Sequence, residues 1–245
     1  MLWYKTWRET RTRLIISAIA LAWVCFVIVF TQNGNRAHEV PPISYSAYVW
    51  TAVYKGYVRN LFIILVIVLS GGGLLQERSL GTAGFTLALP VSRWRLMFVH
   101  AGLGLVEVAF LALVPALVIT VISPLVGEHY PLNQALQFSI LWAVGGAVMF
   151  GAAVLCSTVL AGEYSGWIVC FLCMMLYSAA FNITGFQQFP SFDFFKIMSG
   201  LEMPYLSRTT YKLVGPMPWL PLSVMLGVAM GFIAAAGRST QRRDF

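Results

Sequence analysis

Glu77-Arg78-Ser79-Leu80-Gly81-Thr82 and, shortly after it, Leu89-Pro90-Val91-Ser92-Arg93 form a polar, charged interruption between two long apolar runs. Of 245 residues, 59% are hydrophobic and 10% charged, against about 25% charged in an ordinary soluble domain. Mean hydropathy is +0.77. That little polar surface cannot cover a water-soluble globule, so the chain reads as an all-α, polytopic membrane protein. In such a chain, a structured polar loop at one membrane face reads as a docking surface for a soluble partner.

Outward from the loop, apolar runs of the roughly 20 residues that cross a bilayer fall near 14–31, 56–75, 96–122, 135–161, 164–186 and 218–237. They predict six transmembrane helices in a single domain over residues 1–245, with no separate soluble domain. The uninterrupted apolar part of the second run is Leu61 to Leu75. Extending it back to Gly56 takes in Arg59, whose long stem can carry its charge to the headgroups. Residues 2–13 predict an interfacial helix. Trp3, Trp7 and Leu14 recur near one face, while Lys5, Arg8, Glu9 and Thr12 point elsewhere. The run from Leu14 to Phe30 is too long for a signal-peptide core, and Thr31-Gln32-Asn33-Gly34-Asn35 offers no small-x-small cleavage site. It is expected to stay attached as the first span.

Six crossings put both termini on one side. Of the 16 Lys and Arg, that side collects Lys5, Arg8, Arg11, Arg13, Arg78, Arg93, Arg95, Arg238, Arg242 and Arg243. The other side holds Arg36, Lys55, Arg59, Lys196, Arg208 and Lys212. Basic residues favour the cytoplasmic face, so the termini and the 77–95 loop are expected there. Juxtamembrane cations beside anionic lipid account for the net charge of +7 without a nucleic-acid partner.

The connections on the far side differ in character. Residues 32–55 carry Pro41-Pro42 and then Tyr45, Tyr48, Trp50 and Tyr54, with Tyr57 just beyond, a composition suited to an interfacial aromatic belt. Residues 123–134 make a short Pro-flanked turn. Residues 187–217 hold Phe189, Phe192, Phe194, Phe195, Tyr205 and Tyr211 among Pro190, Pro204 and Pro216. Too broken to span and too aromatic to stay in water, this stretch is expected to dip into the outer leaflet as short re-entrant helices sheltered by protein, with an ordinary interfacial loop as the other reading.

Nothing in the chain predicts an enzyme or a bound cofactor. It has no G-x-x-x-x-G-K-[ST] phosphate cradle, no H-E-x-x-H and no G-x-S-x-G elbow. Gly71-Gly72-Gly73 lacks a following lysine and reads as close helix packing or a kink. His38 and His129 fall in far-side loops as plain solvated residues. Cys25, Cys156, Cys170 and Cys173 all sit inside predicted spans. Cys170-x-x-Cys173, without a second pair, reads as small packing residues, with no disulfide and no metal. Glu107 is the one acid well inside a span, about mid-bilayer at roughly 1.5 Å per residue. Unpaired and ionised it would cost several kcal/mol, so it reads first as an interhelical hydrogen-bond partner and second as a polar residue of a transport path. His100, seven residues earlier, lies about 10 Å away along the axis, too far to pair with it directly. Gly227-x-x-x-Gly231 reads as a helix-packing notch.

The loop itself is similar to one in the membrane subunits of type-2 ATP-binding-cassette exporters. There the second span ends at Glu-Arg and continues as Gly-Thr, an apolar turn and Pro-Val-Ser-Arg. Here Gly81 follows Glu77 by four residues, and Pro90 and Arg93 follow Gly81 by nine and twelve. The resemblance implies a permease in a plasma membrane, the bacterial inner membrane, with Glu77, Arg78, Gly81, Thr82, Pro90 and Arg93 coupling it to cytoplasmic ABC ATPase subunits. A short helix over 79–89, bounded by Gly81 and Pro90, would seat in a groove of the ATPase. ATP and Mg²⁺ then belong to that partner, and this chain binds no cofactor of its own. The resemblance also implies a second permease, in a homodimer or heterodimer, with the conduit at their interface. An interfacial helix at the start and re-entrant elements before the last span fit the same family. One departure stands out. Where the family has a leucine and an acid after Gly-Thr, this chain has Ala83-Gly84, and glycine costs a helix about 1 kcal/mol relative to alanine. A reading from another class is a membrane scaffold that moves nothing, which would have no need of the loop motif.

Overall fold

The computed structural model describes residues 2–32, 44–71, 93–160, 165–181, 193–200, 211–213 and 217–241. Away from water, backbone N–H and C=O groups must pair within their own segment, and the described elements are helical. They are α1 (Leu2–Phe30), α2 (Tyr45–Val49, continued by a π-helical turn Trp50–Tyr54), α3 (Tyr57–Leu69), α4 (Arg93–Ile122, continued by a 3₁₀ turn Ser123–Val126), α5 (Leu132–Val159), α6 (Ser165–Ala180), α7 (Phe194–Met198) and α8 (Trp219–Gln241). Five stretches are long and apolar enough to cross a membrane: Thr10–Phe30, Tyr45–Leu69, Trp94–Val126, Leu132–Val159 and Trp219–Thr240. The chain therefore has transmembrane helical character.

Four of these stretches overlie the predicted spans 14–31, 96–122, 135–161 and 218–237. The second is displaced, running over Tyr45–Leu69 rather than 56–75. The aromatic residues expected in a lipid-facing belt are instead core. Tyr45, Tyr48, Trp50 and Tyr54 are buried, and Tyr57 alone of the group is exposed. Each of the first three finds a polar partner that lets its ring be buried. Tyr45 OH lies 2.5 Å from Ser123 Oγ, Tyr48 OH donates to the Ile28 carbonyl at 3.0 Å, and Trp50 Nε1 donates to the Ser199 carbonyl at 2.9 Å. Tyr54 stacks on Phe138 with ring centroids 4.0 Å apart. Tyr130, in the turn between α4 and α5, packs against Tyr45 and Tyr54, and burial raises its phenol above the ordinary range.

α1 is a single helix from Leu2 to Phe30, so residues 2–13 prolong the first span and do not form a separate interfacial helix. Its buried positions Thr10, Leu14, Ser17, Leu21, Cys25 and Val29 recur every three or four residues and make one stripe. Trp3 and Trp7 stay largely exposed. α6 is apolar but has only 16 residues where 164–186 was predicted. At about 1.5 Å per residue it is shorter than a full hydrocarbon core of roughly 30 Å.

α5 is the central helix and touches α3, α4, α6, α7 and α8. Of its apolar window 67% is buried, against 28% for those of α1 and α8, which leaves those two as the peripheral helices. Small residues make this centrality possible. A Cβ built on Gly146 would fall 2.7 Å from Val108 and 2.9 Å from Phe62, and one on Gly151 would fall 2.9 Å from the Ala229 carbonyl oxygen. The paired positions also give direction. Gly104 meets Phe150 and Val108 meets Gly146, so α4 and α5 are antiparallel. Gly151 meets Ala229 while Gly237 meets Trp94 near the start of α4, so α5 and α8 run parallel. The other glycine notch behaves differently. Gly227 and Gly231, expected to admit a neighbouring helix, face no described atom within 4 Å. Among the described residues nothing fills the notch.

Candidate functional site

Glu77, Arg78, Gly81, Thr82 and Pro90 lie outside the described residues, as do Gly72 and Gly73, and Arg93 opens α4. The site is therefore built from the two roots of the loop, Ser70-Gly71 at the end of α3 and the first turns of α4. The upstream root closes tightly. Ser70 Oγ donates to the Ile67 carbonyl at 2.7 Å, and the indole of Trp167 from α6 lies directly on Gly71. A Cβ on Gly71 would sit 1.6 Å from that ring. The close-packing reading of Gly71 is thus correct.

The downstream root is held by another helix. Trp94 stacks on Phe98 with centroids 5.2 Å apart and covers Gly237 of α8, where a Cβ would fall 2.6 Å from the indole. One turn on, Thr240 contacts the Met97 sulfur at 3.9 Å. A third tryptophan of the same kind, Trp3, approaches Gly102 of α4 to 3.3 Å from a built Cβ. The start of α1, both loop roots, the start of α6 and the end of α8 therefore share one end of the molecule.

Next to the roots is a buried polar cluster centred on Glu107, 1% exposed. Thr10 of α1 donates to Glu107 Oε1, an interhelical hydrogen bond of the kind expected. Thr10 has one hydroxyl proton and a second acceptor in reach, the Thr6 carbonyl at 3.2 Å. A protonated Glu107 satisfies both contacts at once, by donating to Thr10 while Thr10 donates to Thr6. Oε2 has no hydrogen-bond partner among the described residues. The contact also revises the depth of Glu107. It pairs the middle of α4 with Thr10, the first residue of the apolar run of α1, so relative to α1 it lies at the edge of the run.

Around this pair, Arg13 acts electrostatically on both Glu107 and His100, and its guanidinium carbon lies 6.0 Å from the Trp167 ring centroid. His100 is hydrogen-bonded to the Ser70 backbone, and its Nε2 is buried without a partner among the described residues. His100 and Glu107 do not pair, as their spacing predicts. The same indole thus touches the upstream root and the arginine of the polar cluster. Sequence reasoning identified Glu107 and Gly71 but missed Thr10, Arg13, Trp94, Trp167 and Gly237. Tryptophans at the ends of apolar runs facing glycines were a usable signal, though nothing local pairs them.

Among the described residues no three His, Cys, Asp or Glu side chains gather as a metal site requires. Cys170 is buried at the α5–α6 contact beside Cys156, and Cys173 is exposed. Two indoles laid on two glycines join each loop root to a different helix. No protein-family model matches this chain, and comparison with curated proteins finds no match.

Proposed function

We propose that this chain is the permease subunit of an ATP-driven exporter of the type-2 ABC class, coupled to a separate cytoplasmic ATPase through residues 77–93. The single observation that carries the reading is the rooting of that segment. Its ends are fastened to two different helices, α6 through Trp167 on Gly71 and α8 through Trp94 on Gly237. A push on the loop would be divided between them, as a coupling element requires. The motif from Glu77 to Arg93 supplies the docking surface. The partner ATPase carries ATP and Mg²⁺, and a second permease, identical or related, completes the conduit.

Six crossings fit this reading. α5 and α8 run in the same direction, so the chain between them must return, and α6 lies antiparallel on α5 where Gly166 meets Ser157. A short sixth crossing through α6 would put both termini and the loop on the cytoplasmic face. The re-entrant reading of residues before the last span draws support from α7. Its Met198 fills the space over Gly145, halfway along α5, and its Phe194 N–H donates to Tyr177 OH at 3.1 Å. A five-residue helix at that depth, sheltered by protein, is what a segment entering from one leaflet would form.

The test is co-purification in mild detergent with ATP hydrolysis as the readout. The expected result is a soluble ATPase of cassette size held by the wild-type chain and lost from Gly81→Pro and Arg93→Glu, with Arg208→Glu, whose sequence position predicts the opposite face, neutral. All three variants should insert normally. ATP hydrolysis by the chain alone would overturn the reading. Retention of the ATPase by both loop variants, or its absence from the wild-type complex, would move the scaffold reading ahead.

A further inference from the structure

In the half of the molecule opposite the loop roots, we propose a binding site for a phosphate-bearing anion, built by Lys55, Arg59, Lys196 and Lys212 around Trp50 and α7. The side chains are brought together by contacts unrelated to their charge. Lys55 Nζ lies 5.3 Å from the Trp50 ring centroid. The same indole donates to the Ser199 carbonyl just after α7 and stacks on Tyr211 at 4.7 Å, which sets the backbone of Lys212, the next residue, within reach of the group. Arg59 donates from Nη1 to the Phe195 carbonyl at 3.1 Å, and its guanidinium carbon lies 5.3 Å from the Phe195 ring centroid. Lys196 belongs to α7 itself.

Among the described residues the arrangement leaves positive charge unanswered. Asp193 is the carboxylate of this group. It caps α7 by accepting from the Lys196 N–H at 3.1 Å, pairs with Lys196 Nζ at 3.4 Å and lies within electrostatic reach of Arg59. Four cations thus stand with one acid among the described residues. Aromatic faces fix the direction of a cation but carry no net charge, so Lys55 and Arg59 are oriented rather than neutralised. Donors also remain. A guanidinium has five N–H groups. Two of those on Arg59 are engaged, by Phe195 and by Asn60 at 3.3 Å, and Nε has no acceptor among the described residues. Lys55 is exposed and Lys196 is 33% exposed, so an anion can reach the group from solvent or from a leaflet.

Arg59 lies within an apolar run while Lys55 is exposed, so the group joins an apolar border to an accessible cation. A phosphate at a headgroup meets both conditions, and the guanidinium fork matches its oxygens. An anionic lipid is favoured over a zwitterionic one, whose ammonium the lysines repel. The inference uses the geometry of this end alone and does not depend on the export reading.

The experiment is equilibrium binding to the purified full chain in detergent. The probes are dihexanoyl phosphatidylglycerol, dihexanoyl phosphatidylcholine and inorganic phosphate. Wild type should prefer the anionic lipid. Lys55→Gln, Lys196→Gln and Lys212→Gln together should weaken it about a hundred-fold, from roughly 1 kcal/mol per basic residue near an anionic surface. Arg8→Gln, Arg11→Gln and Arg95→Gln, which remove equal charge at the other end, should leave it unchanged. If the first triple variant fails to fold, Lys55→Gln alone, at an exposed position, should still show about a five-fold loss. Displacement of lipid by inorganic phosphate would identify a free phosphate as the ligand, and persistence of lipid would identify the headgroup. Both outcomes uphold the site. Equal losses from the two triple variants, or no preference over phosphatidylcholine, would overturn it.

Discussion

The two ends of this molecule are joined by different forces. At the end opposite the loop roots, directional hydrogen bonds cross between elements. Tyr48 donates to Ile28, Trp50 to Ser199, Arg59 to Phe195, and Gln134 exchanges a pair of bonds with the Leu213 backbone at 2.7 and 2.8 Å. At the root end, indoles lie on glycines, beside the cross-helix contacts of Thr10 with Glu107 and of Thr240 with Met97. A hydrogen bond weakens steeply with misalignment, whereas a flat ring can shift over a glycine while keeping most of its dispersion contact. Among the described contacts, the far end is thus held mainly by directional bonds, and the root end by flat packing beside a few polar contacts.

The largest effect should come from the fixed end. Trp50→Ala removes a buried indole, the stack on Tyr211 and the bond to Ser199, and should cost about 3–5 kcal/mol. Trp50→Phe keeps most of the ring and should lose about 1 kcal/mol, the value of the missing hydrogen bond. Thermal unfolding in detergent checks the difference. Similar losses from the two variants would mean that the hydrogen bond dominates over packing.

At the root end the expected failure is overpacking. Gly71→Val drives methyls into Trp167 and should cost about 1–3 kcal/mol. A cycle with Trp167→Leu separates this from general helix damage, because the smaller side chain vacates the space. The coupling energy between the two changes should be at least about 0.5 kcal/mol. Additive losses would mean that the indole is not the element fastening this root.

How much of this was legible beforehand follows from what each feature is made of. α1, α4, α5 and α8 contain uninterrupted apolar runs, which composition alone reveals. α2 was misread because Tyr45, Tyr48 and Trp50 look interfacial until their hydroxyl and indole N–H partners are known. Those partners, Ser123, Ile28 and Ser199, lie far away in sequence. Glu107 was recognisable because a mid-run acid is costly, but Thr10 was one hydroxyl among many. The Trp-on-Gly joints leave no periodic trace, since each pairs positions on different helices.

An intermediate effect belongs again to the fixed end. Gln134→Leu deletes both bonds to Leu213 and leaves a backbone N–H and carbonyl without them, at about 1–3 kcal/mol. Gln134→Glu keeps the acceptor but not the donor and should recover part of the loss. If Gln134→Leu leaves the melting temperature unchanged, the pair of bonds does not fix this end, and the contrast between the two ends weakens.

The smallest effect is expected at Glu107, where a side-chain hydrogen bond joins α4 to α1 at the root end. Glu107→Gln keeps the volume and can donate its amide to Thr10 while Thr10 donates to Thr6, the arrangement a protonated carboxyl makes. Its stability should stay within about 0.5 kcal/mol of wild type. Thr10→Val is the sharper control. It strips the carboxyl of its partner and should cost about 1–3 kcal/mol, most of which Thr10→Val with Glu107→Leu should restore, because replacing both partners by apolar groups is nearly neutral. On the proposed export function, transport supplies the second readout. If Glu107 serves only to join α1 to α4, the Gln variant transports as wild type does once assembled. If instead it assembles fully and fails to transport, the carboxyl must exchange a proton during the cycle. The root end would then contain a titrating group as well as its flat-packed joints.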